Sequence, residues 1–219
     1  VAAIASALIQ HAASQSSHPL VTSWQKGTGK LYNGVATDVL SVQLSADGKT
    51  VTVTSNGLPS HTIQILNGNE AKSQSISKTF SLSPKVRESQ RVKVGLGPIG
   101  LAVNGVPLFN ADDGQKVSGW SRNAKYWEGV SFDSCGGHAT PALPQGGNMY
   151  HYHKRPVCLD RSAAVPGVHS PIIGWMFDGF PVYGPYGYAK NNTGAAVRIQ
   201  PSYRLRSISG GKRTSLANG

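Results

Sequence analysis

Acidic side chains are scarce in this sequence: ten Asp and Glu stand against 21 Lys and Arg, a formal charge of +11 over 219 residues. Beyond Asp178 there is no acid at all, while Lys190, Arg198, Arg204, Arg206, Lys212 and Arg213 are basic. Such a balance bears on steering and on nonspecific contacts with anionic surfaces, not on the fold. Specific recognition of nucleic acid would need aromatic side chains interleaved with the basic ones. Only Tyr203 interrupts this tail, so nucleic acid is not an expected partner, whereas an acidic polysaccharide or another anionic surface is. Long apolar runs are missing too. The longest, residues 1–9, falls well short of the ~20 residues that cross a bilayer and contains Ser6, so no membrane span is expected.

Cysteine is limited to Cys135 and Cys158, with no C-x-x-C pair, which excludes zinc fingers and thioredoxin-type redox chemistry. The two sulfurs are compatible with free thiols, with one metal thiolate or with a disulfide. The even count and the acceptor sequence Asn191-Asn192-Thr193, with Asn191 as the glycosylation site, favour the disulfide and an oxidising, secretory setting. The Ala-rich opening suits either the start of an exported chain or the remainder of an apolar leader.

What the chain has in quantity is Gly (26) and Pro (13), beside only 39% hydrophobic and 14% charged residues. That composition favours turns and short strands and argues against a helical bundle. No low-complexity linker and no fixed-period repeat divides it. The expected organisation is a single β-rich domain over residues 31–190, preceded by an N-terminal arm or short helix (1–30) that Pro19 would end, and followed by a basic segment (191–219). Alternation from Val39 to Leu44, an interruption at Ala46-Asp47-Gly48-Lys49 and renewed alternation from Val51 to Thr54 predict a β-hairpin. Further strand-like runs follow at 61–66, 79–82, 91–94 and 100–106, each bounded by Asn-Gly or by Pro and Gly. The apolar run from Ile172 to Phe177 reads as a buried strand entering a tight turn at Asp178-Gly179. Gly95-x-Gly97-x-x-Gly100 contains Pro98 and lacks a β-α-β context, so it reads as a strand-connecting turn and not a nucleotide loop. The fold class is therefore mainly β: antiparallel sheets in a sandwich-like or irregular barrel arrangement, with long Gly/Pro-rich loops.

Chemistry concentrates in Met149-Tyr150-His151-Tyr152-His153. Residues two apart on a strand share a face, so His151 and His153 point together while the tyrosines point the other way. Two such imidazoles are half of many zinc and copper sites. His138, in Cys135-Gly136-Gly137-His138, is the best third ligand, because a Cys135–Cys158 bridge would tether the two segments. His169 is a weaker candidate; it equally reads as a residue bonding backbone ahead of Pro171. A hydrogen-bonded histidine pair without metal is the plain alternative for the whole group, and alternating tyrosines more often pack a core than take part in a reaction. Asp178 reads first as a turn residue before Gly179, and second as a carboxylate that orients a liganding histidine. Asp133 is a similar candidate for such an orienting role.

Tyr150-His151-Tyr152-His153 with Pro156 and Cys158, preceded by Asp133, Cys135 and Gly136-Gly137-His138 and followed by His169-Ser170-Pro171-Ile172-Ile173-Gly174 and by Asp178 to Pro185, resembles the YHYH-domain family. Residues 55–61 and 100–107 extend the resemblance, which spans about 40–187 and leaves the arm and the basic tail outside. It implies an exported protein, adds His61 as a further candidate site residue and assigns no reaction. Three functions stay open. The first is an exported protein holding copper or zinc. The second is an enzyme on the same site, a hydrolase or hydratase with zinc or an oxidoreductase with copper. The third is a basic structural or adhesive module.

Overall fold

The computed structural model describes residues 17–89, 92, 94–117, 120–144, 146–160, 165–190, 193–200, 208–209 and 212–213. Residues 1–16, most of the expected N-terminal helix, lie outside it. Pro19 opens a helix: α1 (Pro19–Thr22) is a single turn in which His18 Nδ1 accepts the Leu20 N–H at 3.1 Å. Proline suits this first position because an N–H there would have no helical partner. Leu20 and Trp24 are buried, so this part of the arm is anchored in the core.

A small hairpin, β1 (Leu31–Tyr32) with β2 (Val35–Ala36), precedes a three-stranded antiparallel meander of β3 (Leu40–Leu44), β4 (Thr50–Ser55) and β5 (Ile76–Ser81). The predicted Asp-Gly hairpin is β3–β4. Its turn is tied by Ser45 Oγ, which accepts the N–H groups of Lys49 and Thr50, and by Gly48 at φ +67°. Along β4 the Val51 and Val53 side chains are buried while Thr52 and Thr54 pair outward with Thr79 and Ser41 hydroxyls.

The central sheet has six strands: β6 (Pro98–Ala102), β7 (Pro107–Phe109), β10 (Gly137–Ala139), β11 (Tyr150–Tyr152), β12 (Ile172–Met176) and β13 (Pro181–Tyr183), in the order β10-β11-β7-β6-β12-β13. Between them lie the hairpin β8 (Asp112–Val117) with β9 (Trp120–Asn123), the one-turn helix α2 (Ala124–Trp127) and a 3-10 turn at Gly129–Ser131. After β11 comes α3 (Val157–Asp160), and beyond β13 the hairpins β14 (Tyr186–Lys190) with β15 (Thr193–Arg198) and β16 (Ile208–Ser209) with β17 (Lys212–Arg213). One pairing departs from the expected antiparallel arrangement: β11 runs parallel to β7 through Tyr152 and Leu108.

Two packed clusters sit on opposite sides of the central sheet. Leu101 and Trp175 join Val51, Val53, Phe80, Leu20 and Trp24 against the meander. Ala102, Tyr150 and Tyr152 join Leu58, Ala71 and Cys135 beneath the loops. The run 61–66 is no strand. It covers the tyrosine face through side chains instead of a ladder, with Gln64 Oε1 accepting the Ser134 N–H at 3.0 Å. Of 91–94, Val92 and Val94 are described and carry no strand, and the run 100–106 resolves into the end of β6 and its turn into β7.

Candidate metal centre

β11 alternates as its pleat requires, and His153 follows directly after its last residue. Tyr150 and Tyr152 are buried in the loop-covered cluster, while His151 and His153 join His138 on the other face. His138 reaches them because β10 and β11 pair with His138 directly opposite His151. That register rests on the preceding loop. Asp133 Oδ1 accepts the N–H groups of Cys135, Gly136 and Gly137 at 2.9, 3.0 and 3.2 Å, and its Oδ2 accepts the Tyr150 hydroxyl at 2.6 Å. Cys135 is joined to Cys158 in a disulfide, with the Cα atoms 5.1 Å apart. Gly137 allows the strands to close: a Cβ there would lie 2.5 Å from the Tyr150 hydroxyl and 2.6 Å from His151 O.

Each ring is anchored at Nδ1. His151 Nδ1 lies 3.0 Å from Met149 O and His153 Nδ1 2.7 Å from Asn110 O. A carbonyl only accepts, so both Nδ1 atoms carry the proton. His138 Nδ1 lies 2.8 Å from Ser131 Oγ, which also reaches Glu128 O at 2.7 Å, and 3.3 Å from the Asn67 amide nitrogen. His151 and His153 are thereby left with the Nε2 lone pair free, the tautomer that metal-ligating histidines adopt when a carbonyl holds the other nitrogen. One ligand atom from each ring lies within 4.8 Å of the others. Aromatic walls fix the rings: Phe109 stacks on His151 at 3.9 Å, and Phe132 meets His138 edge-on at 4.9 Å.

Burial keeps the group neutral. It pulls His151 down to about 3 and His138 to about 4, each helped by the neighbouring imidazoles, and it lowers His153 as well. Neutral imidazole is the form that binds metal.

A fourth group belongs here that the sequence did not disclose. Glu128, just after α2, places Oε2 3.4 Å from His153 Nε2 and 3.7 Å from His138 Nε2. That oxygen is buried and has no hydrogen-bond partner. Desolvation, with Asp113 nearby, raises the Glu128 pKa. The His153 Nε2 lone pair facing an unpartnered carboxylate oxygen is repulsive unless a proton or a cation sits between them, and such a donor set fits a bound ion. The three histidines and Glu128 line a cavity of about 730 Å³, bounded also by Asn67, Asn69, Trp127 and Thr140.

The remaining candidates lie elsewhere. His61 is on the tyrosine face, with Nε2 2.7 Å from the Tyr152 hydroxyl. It forms a second group with Cys135 and Cys158, whose sulfurs are engaged with each other. His169 Nδ1 bonds Ser170 O at 2.8 Å, between Tyr183 and Tyr188. Asp178 Oδ1 accepts the Phe180 N–H at 3.3 Å within its turn, and Asp133 bonds the loop and Tyr150 instead of a histidine. Asn191 lies outside the described residues.

Tyr150→Phe would leave a buried carboxylate oxygen of Asp133 without its donor. Loss of a hydrogen bond to a charged group costs about 1.5–3 kcal/mol. Thermal unfolding of this variant is expected to move down by several degrees, and an unchanged Tm would remove Tyr150 from the framework of the site.

The family model described as YHYH protein matches residues 77–218. The match starts beyond His61 and runs into the basic C-terminal segment, which the sequence resemblance had left outside. No curated protein and no solved structure matches the chain.

Proposed function

The chain belongs to the YHYH protein family, and from that premise we propose that it holds one transition-metal ion, copper or zinc, through Nε2 of His138, His151 and His153. A single observation carries this reading: the ligand atoms of three imidazoles converge within 4.8 Å of one another, two of the rings donating from Nδ1 to backbone carbonyls and keeping the Nε2 lone pair for that common point. Copper and zinc both accept imidazole at short distance, about 2.0–2.1 Å for zinc. The Cys135–Cys158 disulfide supports work outside the reducing cytoplasm. Among the described residues no helix is long and apolar enough to cross a membrane.

The cavity of about 730 Å³ against the triad favours a second reading, an enzyme on the same site. Zinc there would supply a Lewis acid and an activated water, and copper a redox couple.

Elemental analysis of the native protein, purified without added metal or chelator, is expected to return about one equivalent of copper or zinc per chain. An anomalous signal among residues 138, 151 and 153 would place the ion. Substoichiometric metal, together with no uptake of either ion by the refolded protein, would overturn the reading.

A further inference from the structure

We infer that Glu128 is the fourth ligand, making the centre a three-imidazole, one-carboxylate site built for a divalent ion and against monovalent copper. The inference rests on the metal-binding reading above. In a tetrahedral site with bonds of about 2.0–2.1 Å, ligand atoms stand ~3.3–3.4 Å apart along each edge. Glu128 Oε2 lies 3.4 Å from His153 Nε2 and 3.7 Å from His138 Nε2, close to two of the three edges a fourth ligand makes, while the tighter group is His138, His151 and His153 without it. The nearby guanidinium of Arg122 lowers the Glu128 pKa through space and makes no hydrogen bond to this oxygen. It donates from Nε to Asp113 Oδ2 at 2.7 Å and lies over the Trp127 ring, so Asp113 takes the cation and Glu128 Oε2 is left with no hydrogen-bond partner.

The backbone aims the side chain. Asn123 Oδ1 caps α2 by accepting the Tyr126 N–H, the Glu128 N–H bonds Ala124 O, and Glu128 O accepts the Ser131 hydroxyl that also holds His138. Glu128 and His138 are therefore positioned through one shared serine.

A carboxylate changes what the site selects. Three neutral imidazoles leave the full charge of the ion uncompensated in a buried place. Adding one carboxylate halves that charge for a divalent ion and supplies a hard oxygen, which suits zinc(II) or copper(II) and not copper(I), an ion that favours soft ligands.

The test uses the full chain with its disulfide intact, stripped of metal and titrated separately with zinc(II) and with copper(I) against a competing chelator. Glu128→Gln is expected to weaken zinc(II) about 100-fold, at the upper end of what loss of a mere outer partner costs, and to leave copper(I) affinity within about threefold of wild type. Cobalt(II) substitution supplies a second readout, because removing a ligand changes the ligand-field spectrum. Glu128→Asp, whose shorter side chain falls short of the ion, should reproduce the loss and covers the case in which the Gln variant does not fold. A variant that binds zinc(II) within about threefold of wild type with an unaltered cobalt spectrum would overturn the role of Glu128 and leave the triad standing. Failure of the wild type to bind any ion would overturn the metal-binding reading itself.

Discussion

Replacing His151 and His153 together by alanine is expected to empty the proposed centre: the purified variant should carry metal at background level where about one equivalent is expected in the native chain. Binding at structural zinc sites amounts to about 10–16 kcal/mol in small peptide systems, spread over four ligands. Two of the three imidazoles supply a large share of that, and His138 with Glu128 alone offers too few donors to compete with buffer. The fold should survive, because β11 keeps its ladder with β10 and both tyrosines on the opposite face. Far-ultraviolet circular dichroism and the Tm therefore separate loss of metal from loss of structure. A variant that folds and retains a stoichiometric ion at native affinity would move the site away from β11.

The second large effect is expected from the disulfide. Cys135 and Cys158 are 23 residues apart, and closing a loop of that size stabilises by roughly 3 kcal/mol through the unfolded chain. For a protein of this length, such a loss lowers Tm by about 6–12 °C. The Cys135→Ala, Cys158→Ala double variant should show that drop in scanning calorimetry. It should also bind metal more weakly, because the bridge fixes the loop that delivers His138 to β10. A Tm within about 2 °C of native would show that the Asp133 bonds hold the loop unaided.

These elements differ in how far the sequence discloses them. The β3–β4 hairpin is readable because a two-residue period and an Asp-Gly turn are local signals, and His151 with His153 follow from the same period. His138 is reached only through the cysteines, since nothing local in Gly136-Gly137-His138 announces that it stands opposite His151. Glu128 is invisible for a stronger reason. It follows a one-turn helix with no periodicity, and its place beside His153 is a contact between segments distant in sequence. The strand expected at 61–66 does not form because β propensity needs a partner edge. That segment instead commits its polar groups to side-chain bonds with the Ser134 loop. At Pro19 the same ring that breaks a helix interior suits a helix start, so a turn beginning there is as legible as a helix ending before it.

The alternation along β11 has one more consequence. Since one side of this short strand is wedged into the interior and the other faces the donors, a slip of a single residue would drive both rings of the donor pair into the apolar cluster and expel both phenols. No partially shifted strand can keep one function and lose the other. A chain misthreaded at this point therefore loses its packed interior together with the histidine cluster.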